Sequence, residues 1–125
     1  MSADIYSDRV RELFAAADFA GTLSDGISVR LEEQGVCIEL SCHSDGERIN
    51  DVKYRVWGCP HLIAAAEAFC TGYRGQRVAH FLDFSASGLM QTLAVPVEKT
   101  GRILVLEDAV RSLGAAVRDA SKSPD

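Results

Sequence analysis

Apolar positions recur at helical spacing over residues 5–19, where Val10, Leu13, Phe14 and Ala17 share one face and Gly21 supplies a stop. The period then drops to two. Ile27-Ser28-Val29-Arg30-Leu31 alternates apolar and polar side chains as a half-buried strand does, and Gln34-Gly35 is a turn into a second strand. In that second strand Val36, Ile38, Leu40 and Cys42 share one face, while Cys37, Glu39, Ser41 and His43 share the other. Ser44-Asp45-Gly46-Glu47 is a strong turn signal before a third strand, which points Val52, Tyr54 and Val56 inward and Lys53, Arg55 and Trp57 outward. Three strands joined by short turns predict an antiparallel meander.

After the third strand the period returns to helical. Pro60 suits the first position of a helix, where its missing N–H costs nothing. Leu62, Ile63, Ala66, Phe69, Cys70 and Tyr73 trace an apolar face that ends near Gly72-Tyr73-Arg74-Gly75. The stretch from Val78 to Leu93 is interrupted by Ser85-Ala86-Ser87-Gly88 and predicts two short helices. Ala94-Val95-Pro96-Val97 is expected to be extended, because a proline disfavours helix at the residue before it. The final helix is predicted over residues 102–120. The expectation is an α+β fold with helices packed on one face of a three-stranded antiparallel sheet. Residues 1–120 form one domain in this reading, and residues 121–125 a polar tail.

Composition narrows the class. The chain has 125 residues, 47% hydrophobic and 25% charged, enough for one domain with a real core. A net charge of -5 argues against nucleic acid or a membrane surface as partner, since both are polyanions. No apolar run approaches the roughly 20 residues that span a bilayer, and Met1-Ser2-Ala3-Asp4 lacks the start of a secretory signal. A cytoplasmic location is the expectation. The four cysteines, Cys37, Cys42, Cys59 and Cys70, make no Cys-x-x-Cys pair and are expected as free thiols or ligands.

Among the thiols, Cys59 stands apart. It follows Gly58 at a strand-to-helix junction and occupies the N-cap of the Pro60 helix, where unpaired N–H groups and the helix dipole attract anionic sulfur. His61, two residues on, is near enough to be a second metal ligand or a proton partner. The structural alternative is a small residue filling a buried turn. Cys70 and Cys42 lie on apolar faces and read as core, and Cys37 faces away from Cys42. Recruitment of Cys42 or His43 to a Cys59–His61 metal site remains open on the residues alone, although no ligand spacing typical of zinc is present. His80 is placed on the surface. Glu107-Asp108 diverges by about 100° on a helix and reads as a solvated face rather than an acid–base pair. No phosphate loop, nucleophile elbow or His-Glu-x-x-His motif occurs.

The order of elements, with Tyr6-Ser7-Asp8-Arg9-Val10, Ile49 through Trp57-Gly58-Cys59, Pro60 through Glu67, and Leu106-Glu107-Asp108-Ala109, resembles the NifU N-terminal/IscU-type iron–sulfur cluster assembly scaffolds. That resemblance covers most of the chain. It implies a scaffold rather than an enzyme, an iron–sulfur cluster or iron as cargo, and a cysteine desulfurase as partner. It also implies an Hsp70-type chaperone docking at Val95-Pro96-Val97-Glu98-Lys99, and allows a homodimer. In the family three cysteines, assisted by a His or an Asp, hold the cluster. Cys59 matches the middle position. The first should fall between the first two strands, which read Leu31-Glu32-Glu33-Gln34-Gly35, and the third aligns with Gly101-Arg102.

The resemblance therefore implies a degenerate scaffold in which Cys59 accepts sulfur or serves as a lone metal ligand beside His61. Two alternatives stand beside it. One is a persulfide relay partner of a cysteine desulfurase, of the kind that the SufE-type acceptors of similar fold represent. The other is a docking module of the same fold without chemistry.

Overall fold

The protein is described from a computed structural model, which describes Asp8 and residues 18–121. The helix expected over residues 5–19 lies almost wholly outside the described residues, as does the tail beyond Ser121. Strands β1 (Ile27–Glu33), β2 (Val36–Ser44) and β3 (Ile49–Trp57) form one antiparallel sheet in the order β1-β2-β3. Helices α1 (Pro60–Tyr73), α2 (Val78–Leu82), α3 (Ser87–Thr92) and α4 (Thr100–Ser121) follow. The meander, the α+β class and the pair of short helices are as the sequence predicts.

The β1–β2 connection is a two-residue turn in which Gln34 (φ 55°) and Gly35 (φ 75°) are both left-handed, the geometry whose twist matches a right-handed hairpin. At the β2–β3 turn Asp45 accepts the N–H groups of Glu47 (2.9 Å) and Arg48 (2.8 Å), and these bonds hold its carboxyl below the usual carboxylate range. The inward sheet face, with Ile38, Leu40, Cys42, Val52 and Tyr54, packs under α1 and α4. Phe69, Phe81 and Phe84 close the far side, Phe69 meeting the other two edge to face at 5.5 and 5.2 Å. Cys42 and Cys70 belong to this core. Burial pushes the Cys42 thiol up to about 11, and burial, followed by the Glu67 charge, pushes Cys70 well above the usual thiol range.

Residues 18–26 form a strap around the free edge of β3. Phe19 O accepts the Tyr54 N–H (3.0 Å), and the Gly21 N–H donates to Tyr54 O (2.8 Å). Leu23 N–H then donates to Ser41 Oγ (2.9 Å), which is why Ser41 is buried although it lies on the outward sheet face. The strap is anchored by Glu67, a buried carboxylate on α1. It accepts the N–H groups of Asp18 (3.0 Å) and Phe19 (3.1 Å) and the Tyr54 hydroxyl (3.0 Å). Burial, then the Glu67 acceptor, holds the Tyr54 phenol well above its usual range.

Two boundaries differ from expectation. Helix α4 begins at Thr100 rather than Arg102, because Thr100 Oγ1 donates to Val97 O (2.8 Å) in a one-turn 3-10 helix, Val97–Lys99, that leads directly into it. For the same reason the segment 94–97 is extended only in part: Pro96 is extended (φ -61°, ψ 148°), but Ala94 is left-handed (φ 53°) and Val97 has already turned. Among the described residues, no helix is long and apolar enough to cross a membrane.

Glu67→Ala leaves two backbone N–H groups and a phenol without their acceptor, and should lower unfolding free energy by about 3 kcal/mol in a denaturant titration. Tyr54→Phe, which removes one of the three donors, should cost about 1 kcal/mol in the same measurement.

Candidate functional site

Strand β3 ends at Trp57, and the chain reverses through Gly58 at φ 120°, a conformation that side chains rarely adopt. A Cβ there would lie 3.0 Å from Val36 Cγ1 and 3.1 Å from Gly35 O, so the turn is pressed against the start of β2. Cys59 follows in extended conformation (φ -148°, ψ 122°) as the N-cap of α1. Its carbonyl accepts the Ile63 N–H (3.0 Å), and its side chain makes no capping hydrogen bond. Pro60 occupies the first turn, as expected.

A third segment closes the corner. A Cβ on Gly101, in the first turn of α4, would lie 3.2 Å from Gln34 Oε1, so the β1–β2 turn reaches across to the start of that helix. The Gln34-Gly35 turn, the Gly58-Cys59 junction and the Thr100–Arg102 turn therefore meet in space. They are far apart in the chain, and each corresponds to one of the ligand-bearing positions implied by the sequence resemblance.

Cys59 and His61 are both buried, each 2% exposed. His61 is held below the usual imidazole range, first by burial and next by the Lys99 charge, with Glu98 opposing. The segment Val95–Lys99 thus lies within electrostatic reach of His61, and Val97 projects from it 86% exposed. The remaining candidates do not join them. Cys42 sits opposite Ile27 and Val52 in the sheet core. His43 turns outward, its Nε2 2.7 Å from Asp25 Oδ1, a contact that lowers the Asp25 carboxyl. Cys37 is buried beside Trp57 on the opposite sheet face from Cys42. His80 is exposed and shares a hydrogen bond with Gln76 Oε1 (2.7 Å). Glu107 accepts the Ala86 N–H (2.9 Å) and holds the α2–α3 connection, while Asp108 faces solvent.

Among the described residues, no three His, Cys, Asp or Glu side chains converge as a metal site. A [2Fe–2S] cluster takes four ligands, chiefly thiolates. The described residues of one chain do not fit that requirement: the corner supplies Cys59, a neighbouring imidazole, and Arg102, a fixed cation that cannot ligate iron.

Alternation places Trp57 and Arg55 on the outward face of β3 and Arg30 at a polar position of β1, with no signal that they meet. The strand register Arg30–Glu39–Arg55 is what brings the two arginines to the same indole, at 5.3 and 5.0 Å from the ring centroid. Alternation marked these side chains as outward. Only the pairing of three strands marks them as neighbours.

Comparisons with known proteins agree with the fold. Residues 5–121 match the family described as NifU-like N terminal domain. Among solved structures, the N-terminal part of a NifU-like protein from Brucella abortus superposes with a TM-score of 0.71 at 14% identity, covering 94% of this chain and 95% of that one. A putative iron–sulfur cluster assembly scaffold protein for the SUF system from Fervidobacterium islandicum gives 0.62 at 19% identity, covering 90% and 96%. A hypothetical protein gives 0.68 at 15% identity, covering 85% and 96%. No curated protein matches the sequence.

Two outcomes follow from the corner. Gly58→Ala should destabilise the protein by about 2 kcal/mol, read from its denaturation midpoint, because a Cβ meets Val36 and strains a left-handed turn. Lys99→Ala should raise the His61 titration midpoint toward, but not to, the ordinary imidazole value, because burial remains the larger cause; proton NMR of the ring reads it directly. The sign for stability is fixed by the lowered value: His61 contributes fully above the ordinary imidazole range, and that contribution is lost as pH falls below it.

Proposed function

The chain belongs to the NifU-like N-terminal domain family of iron–sulfur cluster assembly scaffolds, and from that premise we propose that it serves cluster assembly as a degenerate scaffold whose working group is Cys59. One observation carries this reading. Three segments distant in sequence converge at one corner, and of the three cysteine positions that the sequence resemblance implies, only the one at Cys59 bears a thiol here.

Cys59 accepts sulfur in this reading. The donor is a persulfide on a cysteine desulfurase. The Cys59 thiolate attacks its terminal sulfur, the donor S–S bond breaks, and the donor cysteine leaves as a thiolate. The new persulfide sits on Cys59, and no external oxidant or reductant is needed. Because Cys59 is 2% exposed, acceptance requires local opening of the Gly58 turn or of the Val95–Lys99 segment. His61, two residues on and likewise buried, is the proton partner or a second ligand for iron in this reading. Val95, Pro96, Val97, Glu98 and Lys99, with Val97 protruding, are the docking stretch for an Hsp70-type chaperone.

A second reading, a docking module that keeps the fold without chemistry, is favoured by the burial of Cys59 and by the incomplete ligand set.

Incubation with a cysteine desulfurase and cysteine separates the two. Intact-mass and peptide mass spectrometry should show one added sulfur atom on Cys59 and none in Cys59→Ser. An unmodified Cys59 in a mixture where the desulfurase itself is loaded removes the acceptor role and leaves the docking module. Anaerobic reconstitution with iron and sulfide should give no more visible absorbance per monomer than Cys59→Ser does, since one chain lacks four ligands.

A further inference from the structure

Helices α1 and α4 cover the inward face of the sheet, and the strap of residues 18–26 covers part of the outward face at Ser41. Beyond the strap, toward the β1–β2 turn, Trp57 stands on the outward face 42% exposed, beside the buried Cys37. Arg30 and Arg55, both exposed, hold their guanidinium groups 5.3 and 5.0 Å from the indole centroid. Among the described residues neither guanidinium has a carboxylate at ion-pair distance. Glu39 lies between them in register, and its carboxylate accepts the Thr22 hydroxyl (3.3 Å).

Next to Trp57 a groove of about 480 Å³ is lined by Gly35, Val36, Cys37 and Gly58, and by the carboxylate residues Glu32 and Glu33. The surface is thus polarised along the strands. Two cations without carboxylate partners among the described residues lie against the indole from the Glu39 row, and Glu32 shares the next row toward the turn with Cys37 and Trp57, Glu33 following it.

We infer that the Trp57 groove is a docking surface for an extended segment of a partner protein, acidic where it crosses Arg30 and Arg55 and basic where it crosses Glu32 and Glu33. The charge arrangement selects this occupant over a uniformly anionic polymer, which Glu32 and Glu33 repel, and over a uniformly basic one, which Arg30 and Arg55 repel. An apolar side chain at the middle of the segment fills the groove against Trp57 and Val36. Trp and Arg are the residue types that most often dominate such contacts, and stacking holds both guanidinium groups in place before binding, which reduces the entropy lost on docking. The inference is independent of the chemistry at Cys59.

Trp57 is the chain's only tryptophan, so its fluorescence reports occupancy of the groove directly. The full chain is titrated with a synthetic peptide of three aspartates, a leucine and two lysines in that order, and with its charge-inverted counterpart. The first peptide should saturate the signal, and the inverted one should bind at least tenfold more weakly. The double variant R30E/R55E should reverse that preference, and R30Q/R55Q should lose it, with circular dichroism confirming that both remain folded. Cys59→Ser should titrate as wild type does. Equal affinity for the two peptides, or an unchanged preference in R30E/R55E, overturns the inference. So does tighter binding of inorganic polyphosphate than of the acidic-first peptide, which would make this an anion site. Concentration-dependent self-association abolished by R30E/R55E also overturns it, since the occupant would then be a second copy of the chain.

Discussion

The close approach of Gly58 to Gly35 and Val36 is the contact on which the candidate site depends. A strand that ended in any other residue could not turn with φ 120° while its Cα presses against the neighbouring strand. That turn sends the chain from the sheet edge straight into α1, and it places Cys59 at the helix N-cap, beneath the surface rather than on it. Gly101 repeats the device on the other side, where the absence of a side chain lets Gln34 lie over the start of α4. Two glycines thus let three backbone segments converge more closely than side chains would permit.

The middle of α1 is held by different physics. Glu67 is a buried carboxylate that accepts from two backbone N–H groups and a phenol. Burying a charge is unfavourable unless its lone pairs are satisfied, and here three donors converge on it. The result ties the strap, β3 and α1 into one unit. Helix α1 is thereby anchored two turns away from Cys59, so an opening at the Gly58 corner need not disturb the core.

Family membership and ligand chemistry point in different directions. The chain has the fold of the NifU-like domains, and the Gln34-Gly35 turn, the Gly58-Cys59 junction and the start of α4 come together in it. Yet Gln34-Gly35 and Gly101-Arg102 stand where the resemblance implies cysteines, and the described residues contain no other convergent set. The corner holds one thiol, an imidazole held below its usual range by burial and the Lys99 charge, and the cation of Arg102. A single thiol can carry sulfur but cannot supply four ligands, and the proposed role of Cys59 rests on that difference.

Much of this was legible in the residues taken alone. Alternation over Val36–Ser44 and Ile49–Trp57 determines which faces are apolar, and Gln34-Gly35 and Ser44–Glu47 determine where the hairpins turn. Pro60 after Gly58-Cys59 determines that a helix starts there, because these signals are local. Two features were decided only by the tertiary structure, whereas the start of α4 at Thr100 follows from a local side-chain bond to Val97 O three residues back. Arg30 and Arg55 became neighbours through strand register, which no single strand records. Cys59, which local chemistry marked as a reactive junction thiol, proved buried and without a convergent ligand set among the described residues. Periodicity tells which way a side chain points. How deeply it lies, and what lies beside it, depends on segments many residues away.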